Sequence, residues 1–203
     1  LTFASAPDYE TKTSYSATVT ATDGTNSSTQ DITVTVTNAN DNTPSITSSS
    51  TFSVVENQTA IGTITATDDD GDTLSYSLSG TDASAMSINS SSGVLVFASA
   101  PDYETKTSYS ATVTATDGTN SSTQDITVTI TDVDDTAPVF TSSASFGAAE
   151  NQTSIGTVTA TDVDTDNASI TFSISGSELV ITSGGVLTFA SAPDYETKTS
   201  YSA

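Results

Sequence analysis

Apolar residues in the middle of the chain fall at every second position: Tyr109, Ala111, Val113 and Ala115, then Ile126, Val128 and Ile130. A period of two puts alternate side chains on one face of a strand, so both segments predict half-buried β-strands. Asp117-Gly118-Thr119-Asn120 between them predicts a turn. Upstream, the same reading gives short strands around Ile64 and Ala66, around Leu74, Tyr76 and Leu78, around Met86 and Ile88, and around Leu95 and Phe97, separated by Gly, Asp, Asn and Ser. An opening strand near Ile46 and Val54 brings the expected total to seven. The alternate, outward positions are mostly Thr and Ser, which favour pleated structure by β-branching or solvate a face without adding charge. The low-complexity look is therefore a property of strand surfaces, and regular apolar alternation argues for a packed core against disorder.

The pattern repeats. Phe3 to Thr35 recurs unchanged as Phe97 to Thr129, and Leu1 to Ala17 as Leu187 to Ala203. The anchor Ala-Pro-Asp-Tyr-Glu recurs at Pro7, Pro101 and Pro193, spaced 94 and then 92 residues apart. That period is the size of an immunoglobulin-type sandwich and far longer than a solenoid turn. The expected domains are 1–42, the C-terminal half of a repeat; 43–136, a complete repeat; and 137–203, the N-terminal part of a third. On this reading the chain starts and stops in mid-domain.

Composition changes the picture toward cation chemistry. Three Lys, no Arg and 25 acidic residues give a formal charge of -22, which repels nucleic-acid phosphates and anionic membrane surfaces. With no Cys and no His, thiolate and imidazole metal sites and disulfides are excluded, leaving hard oxygen ligands. No apolar run is long enough to span a bilayer and no signal peptide is visible.

The acidic residues cluster at recurring places: Glu56-Asn57, Asp68-Asp69-Asp70-Gly71-Asp72, Asp102-Tyr103-Glu104, Asp117-Gly118, and Asp132-Val133-Asp134-Asp135-Thr136 between repeats. Calcium takes six to eight oxygens from carboxylates, amides and carbonyls, which a sandwich supplies by gathering loops at one pole. The bland alternative is that Asp, Asn and Gly simply make turns, and for Asp117-Gly118 taken alone that is the better reading. An EF-hand fits poorly, because Thr73 stands where Gly is needed after Asp68, Asp70 and Asp72, and no twelfth-position Glu follows. Carboxylate pairs such as Asp102 and Glu104 can in principle do acid–base work, as in glycosidases. Two residues apart in a repeated acidic loop they read better as ligands, so no enzymatic activity is expected. Tyr9, Tyr103 and Tyr195 either stack on sugars or pack over the pole of the sandwich, with packing the expectation. The Asn-x-Ser/Thr sequons at Asn26, Asn57, Asn89, Asn120, Asn151 and Asn167 arise readily by chance in a chain so rich in Ser and Thr.

Taken in order, these elements resemble the cadherin repeat family along the whole chain. Val55-Glu56-Asn57 is similar to its Glu-Asn motif, Asp68-Asp69-Asp70 to its Asp-x-Asp, Asp102-Tyr103-Glu104 to its Asp-Arg-Glu, and Ala115-Thr116-Asp117-Gly118 to its Ala-x-Asp-x-Gly. Asn38-Ala39-Asn40-Asp41-Asn42-Thr43-Pro44 resembles the linker Asp-x-Asn-Asp-Asn-x-Pro, and Met86-Ser87-Ile88 with Gly93-Val94-Leu95 the mid-domain strand pair. Tyr replaces the Arg of Asp-Arg-Glu, Asn38 the first linker Asp, and Asp134 the linker Asn. The second junction is thereby more acidic, with tighter binding expected there.

The resemblance implies an all-β fold: tandem seven-stranded Greek-key β-sandwiches, immunoglobulin-like and of cadherin type, joined end to end. It also implies about three calcium ions at each complete junction. The ligands carried over at the first junction are Asp8, Glu10, Asn40, Asp41, the Asn42 carbonyl, Asp68, Asp70 and Asp117. At the second they are Glu56, Asp102, Glu104, Asp134, Asp135, the Thr136 carbonyl, Asp162 and Asp164. Asp23, Glu150, Asp194 and Glu196 serve neighbouring junctions. The near-identical repeats without Arg or Cys look more like a bacterial surface protein than an animal receptor. The expected role is a calcium-dependent extracellular adhesion or extender module of a cell-surface adhesin or filament, in which bound calcium rigidifies a rod-like array. The expected partners are neighbouring repeats of the same chain. The alternatives are a calcium-dependent carbohydrate-binding module on surface glycans, against which the absence of Trp counts, and homophilic or head-to-tail fibre assembly between identical chains. Nucleic acid and direct membrane insertion of this segment are not expected.

Overall fold

The computed structural model describes residues 1–164 and 169–202; Asn167, one of the sequons, and Ala203 lie outside the described residues. Its contacts divide the chain into two units, Leu1–Thr131 and Asp132–Ala203.

In the first unit β1 (Ser14–Thr22) and β2 (Ser27–Thr35) form an antiparallel two-stranded ribbon. The complete sandwich follows, built from β3 (Ser45–Ile46), β4 (Thr51–Val55), β5 (Ala60–Thr63), β6 (Ala66–Thr67), β7 (Ser75–Ser79), β8 (Met86–Ile88), β9 (Val94–Phe97), β10 (Ser108–Thr116) and β11 (Ser121–Thr131). One sheet has the order β4-β11-β10-β7, with β4 parallel to β11 and the other pairs antiparallel. The other is β5-β9-β8, and β3 pairs with β6. A single 3-10 turn, Ala83–Ala85, precedes β8.

The core lies between the sheets, where Val54, Ile64, Met86, Leu95, Phe97, Ala111, Val113, Ile126, Val128 and Ile130 form one buried cluster. The expected alternation is realised on β11, where Ile126, Val128 and Ile130 are buried and their neighbours are exposed. Burial of each such side chain contributes about 1.5–3 kcal/mol. The Phe97 and Tyr109 rings pack edge to face, with centroids 4.9 Å apart.

Three expectations need correction. The opening strand is two strands, because the chain passes from the β3–β6 pair to the edge of the larger sheet beside β11. The second strand is likewise broken into β5 and β6, and Ile64 between them belongs to neither, although it is almost completely buried. Its N–H donates instead to the Gly93 carbonyl at 2.9 Å. Gly93 has φ +71°, and a Cβ there would lie 2.1 Å from the Ile64 carbonyl oxygen, so only glycine allows this approach. Leu74 stands just before β7 rather than in it.

The second unit contains β12 (Val139–Phe140), β13 (Ser154–Thr157), β14 (Ala160–Thr161), β15 (Leu179–Ile181) and β16 (Val186–Phe189). The pairs are β12-β14 and β13-β16-β15, the counterparts of β3-β6 and β5-β9-β8. No helix among the described residues is long and apolar enough to cross a membrane.

Candidate metal centre

Each acidic group sits in a turn whose backbone donors fix its carboxylate. Asp117 closes the β10–β11 turn by accepting from the N–H groups of Thr119 and Asn120, both at 2.6 Å. Burial pushes its carboxyl up, but these two donors outweigh that and hold it below the ordinary carboxylate value. Asp8 accepts from the N–H of Glu10 at 3.0 Å and from both the N–H and hydroxyl of Thr11, and the Thr11 contacts lower its value. Asp102 holds Thr105 in the same way.

The linker between the first two repeats is drawn onto Asp70. The N–H groups of Asp41 and Asn42 donate to its Oδ2 at 3.0 and 2.8 Å, and the Asn42 amide donates to Oδ1 at 3.1 Å. The Asn42 donors dominate in holding Asp70 below the ordinary value. Asn38 donates its amide to the Asp70 carbonyl at 2.8 Å. From the other side the Asn120 amide donates to Asn40 Oδ1 and to the Asn42 carbonyl, at 3.0 and 2.9 Å.

This arrangement brings carboxylate oxygens of Glu10, Asp41 and Asp70 within 4.8 Å of one another, and likewise those of Asp68, Asp70 and Asp72. Glu10 sits above the ordinary Glu value. Its own N–H lowers it, but burial together with sharing and repulsion from Asp70 carries it upward. Asp68 Oδ2 and Asp117 Oδ2 are buried and accept no hydrogen bond among the described residues. Buried carboxylate oxygens left without donors, beside crowded like charges, are the donor set of a hard divalent cation.

The Glu56 turn forms a second centre. Asn57 takes the left-handed conformation at φ +61°, which Asn tolerates better than most residues, and its N–H donates to the Pro101 carbonyl at 3.0 Å. Glu56, 2% exposed, is thereby turned inward and accepts from the Tyr103 N–H at 2.9 Å. Carboxylate oxygens of Glu56, Asp102 and Glu104 lie within 4.8 Å of one another. The third repeat rebuilds the device: Asn151 has φ +62°, and Glu150 accepts from Tyr195 at 3.1 Å. Asp194 accepts from Glu196 and Thr197, and Asp23 from Thr25 and Asn26.

In the second unit Asp134, Asp162 and Asp164 offer another such group. Asp164 Oδ2 accepts from the N–H groups of Asp135, at 2.9 Å, and Thr136, as Asp70 does at the first linker. Tyr103 packs against the core, as expected. Two members of the centre, Asn120 and Asp72, are absent from the ligand set expected from sequence. The signal available for Asn120 is its place at the end of the Asp-Gly-Thr-Asn turn, directly after the expected ligand.

Residues 50–131 match the family model described as Cadherin domain. No curated protein sequence matches the chain. Among solved structures, mouse cadherin-23 EC22-24 is similar at TM-score 0.73 and 27% identity, over 94% of this chain and 68% of that one. Protocadherin gamma B2 extracellular cadherin domains 3-6 gives 0.68 and 26%, over 92% and 53%. The protocadherin gammaB7 EC3-6 cis-dimer structure gives 0.71 and 26%, over 94% and 53%. The chain thus spans about half the length of these protocadherin structures. Residues 50–131 are a cadherin domain, and the chain carries cadherin-like tandem repeats.

Proposed function

We propose that the chain is a calcium-dependent extracellular adhesion or extender module without catalytic function, in which Ca2+ at the boundaries between repeats holds neighbouring repeats together. The observation that carries this reading is the convergence, on one linker, of two buried carboxylate oxygens without donors, on Asp68 and Asp117, and the crowded pair Glu10 and Asp70. Glu10, Asp41, Asp68, Asp70 and Asp117, with the Asn40 amide and the Asn42 carbonyl, hold the cation there, and Asp8 shapes the Glu10 turn. Each unit carries a further cation-binding group of its own, Glu56, Asp102 and Glu104 in the first and Asp134, Asp162 and Asp164, with Asp135 and Thr136 bound to Asp164, in the second. Bound calcium neutralises carboxylates that otherwise repel; without it the linker loosens.

Extracellular calcium modules bind at about 10⁻⁴–10⁻³ M. At tenfold excess over such a constant, each site adds about 1.4 kcal/mol to stability by linkage. The melting temperature should therefore rise by several degrees between chelator and millimolar calcium, and an unchanged value contradicts the proposal. Homophilic assembly is a second reading, favoured by the dimer named for the similar protocadherin gammaB7 structure. Self-association that appears only with calcium, followed by sedimentation, distinguishes it.

A further inference from the structure

The Asn120 side chain reaches from the β10–β11 turn to the linker ahead of the central sandwich, joining residues 78 and 80 apart in sequence. Its backbone is committed to the turn. The N–H donates to Asp117 Oδ1 at 2.6 Å, and the carbonyl accepts from the Thr116 hydroxyl at 2.7 Å. The side chain acts outward: one amide nitrogen serves two acceptors, Asn40 Oδ1 at 3.0 Å and the Asn42 carbonyl at 2.9 Å. A main-chain carbonyl only accepts, so the amide presents its NH2 group here, and that group is a donor and no cation ligand.

The neighbouring ties of the linker differ in kind. Asp41 and Asn42 donate their N–H groups to Asp70 Oδ2, a carboxylate that the proposed cation also claims. Asn120 is neutral, half-buried and outside the proposed ligand set, so its two hydrogen bonds need no cation. Upstream, the Asn38 amide donates to the Asp70 carbonyl at 2.8 Å, whereas the Val36 N–H donates to the Thr13 carbonyl of the first repeat at 2.9 Å. Thr37 thus stands between a tie to the first repeat and a tie to the second.

We propose that Asn120 is a positioning residue whose amide fastens Asn40 and Asn42 to the central sandwich independently of any cation, pre-setting their oxygens for binding. Ordering the linker beforehand removes an entropic cost that binding would otherwise carry. The loosening that follows loss of the cation then falls at Thr37, and residues 38–42 stay with the second repeat. Only the benefit to binding rests on the calcium reading; the fastening does not.

Amide hydrogen exchange of the 203-residue chain in chelator tests it. In the wild type the Asp41 and Asn42 N–H groups should exchange far more slowly than in an unfolded chain. Asn120→Ala should speed both about tenfold, the worth of two hydrogen bonds. Asn120→Asp, which keeps the size and removes the donor, should do the same. Ile126→Val loosens the buried core without touching the linker, so it should speed the core amides and leave these two unchanged. Calorimetric titration reads the benefit to binding: Asn120→Ala should weaken calcium binding at this junction by a similar factor. Linker amides that exchange freely in the wild type, ignore Asn120→Ala or respond equally to Ile126→Val would overturn the proposal, as would calcium affinity unchanged or raised by Asn120→Ala. A wild type that binds no calcium would sink the calcium reading alone, and the exchange comparison would still decide the fastening.

Discussion

Two stretches of this molecule have the same residues and different surroundings. Ser108–Thr116 and Ser121–Thr129 close the central sandwich; Ser14–Thr22 and Ser27–Thr35 stand as a two-stranded ribbon. Strand pairing is the same in both, down to Val113 opposite Gln124 and Val19 opposite Gln30. Ala111, Val113 and Ala115 are buried, whereas Ala17, Val19 and Ala21 are exposed. The hairpin is therefore encoded locally, by alternation and by the Asp-Gly turn, while burial is a property of the sheets that cover it. Energetic weight follows coverage rather than sequence.

Substitutions at matched positions should show that difference in graded form. Ile126→Ala should cost the central repeat about 2–5 kcal/mol in chemical denaturation, the range for a buried Ile truncated to Ala. The same change at its counterpart Ile32, only partly buried, should cost the central repeat well under about 1 kcal/mol. Equal costs would mean that coverage does not decide. Next comes Gly93→Ala, which meets both positive φ and a backbone oxygen at 2.1 Å, against Gly24→Ala, which meets positive φ with open space around it. A cost of about 1 kcal/mol at Gly24, for the left-handed conformation alone, should be exceeded at Gly93.

The smallest effect concerns the lysines. Lys106 lies over the Tyr109 ring at 4.7 Å and ion-pairs with Asp82, while Lys12 lies over Tyr15 at 4.3 Å with no ion pair among the described residues. Lys106→Met should cost about 0.5–1 kcal/mol, and Lys12→Met less. The Lys106 ammonium, followed by the Ser110 N–H, holds the Asp82 carboxyl below its ordinary 3.8. A carboxyl lowered by folding stabilises fully above its unfolded value and loses that contribution as the pH falls through 3.8 and below. Asp82→Asn should flatten this part of the acid-unfolding profile, and an unchanged profile would mean that the ion pair adds nothing to acid stability.

The strands facing the core were legible because their apolar residues obey a strict period. The breaks in the two edge segments were not, since Ile46, Val54, Ile64 and Ala66 read as continuous strands and only the sheet crossing divides them. The acidic turns were legible by position. The tie of Asn120 to the Asn42 carbonyl was not, because it joins residues 78 apart in sequence and depends on the folded linker. The burial that distinguishes Asp68 and Asp117 from ordinary turn aspartates was equally invisible, as it comes from the packed loops around them.

Whether cation binding belongs to the buried carboxylates is decided by calorimetric calcium titration of the wild-type chain and of Asp68→Asn combined with Asp117→Asn. Saturable binding at about 10⁻⁴–10⁻³ M is expected in the wild type, with binding at the first junction lost in the double variant while the melting of the sandwich in chelator is retained. No saturable heat in the wild type, or an unaltered isotherm in the variant, would contradict calcium ligation by this pair.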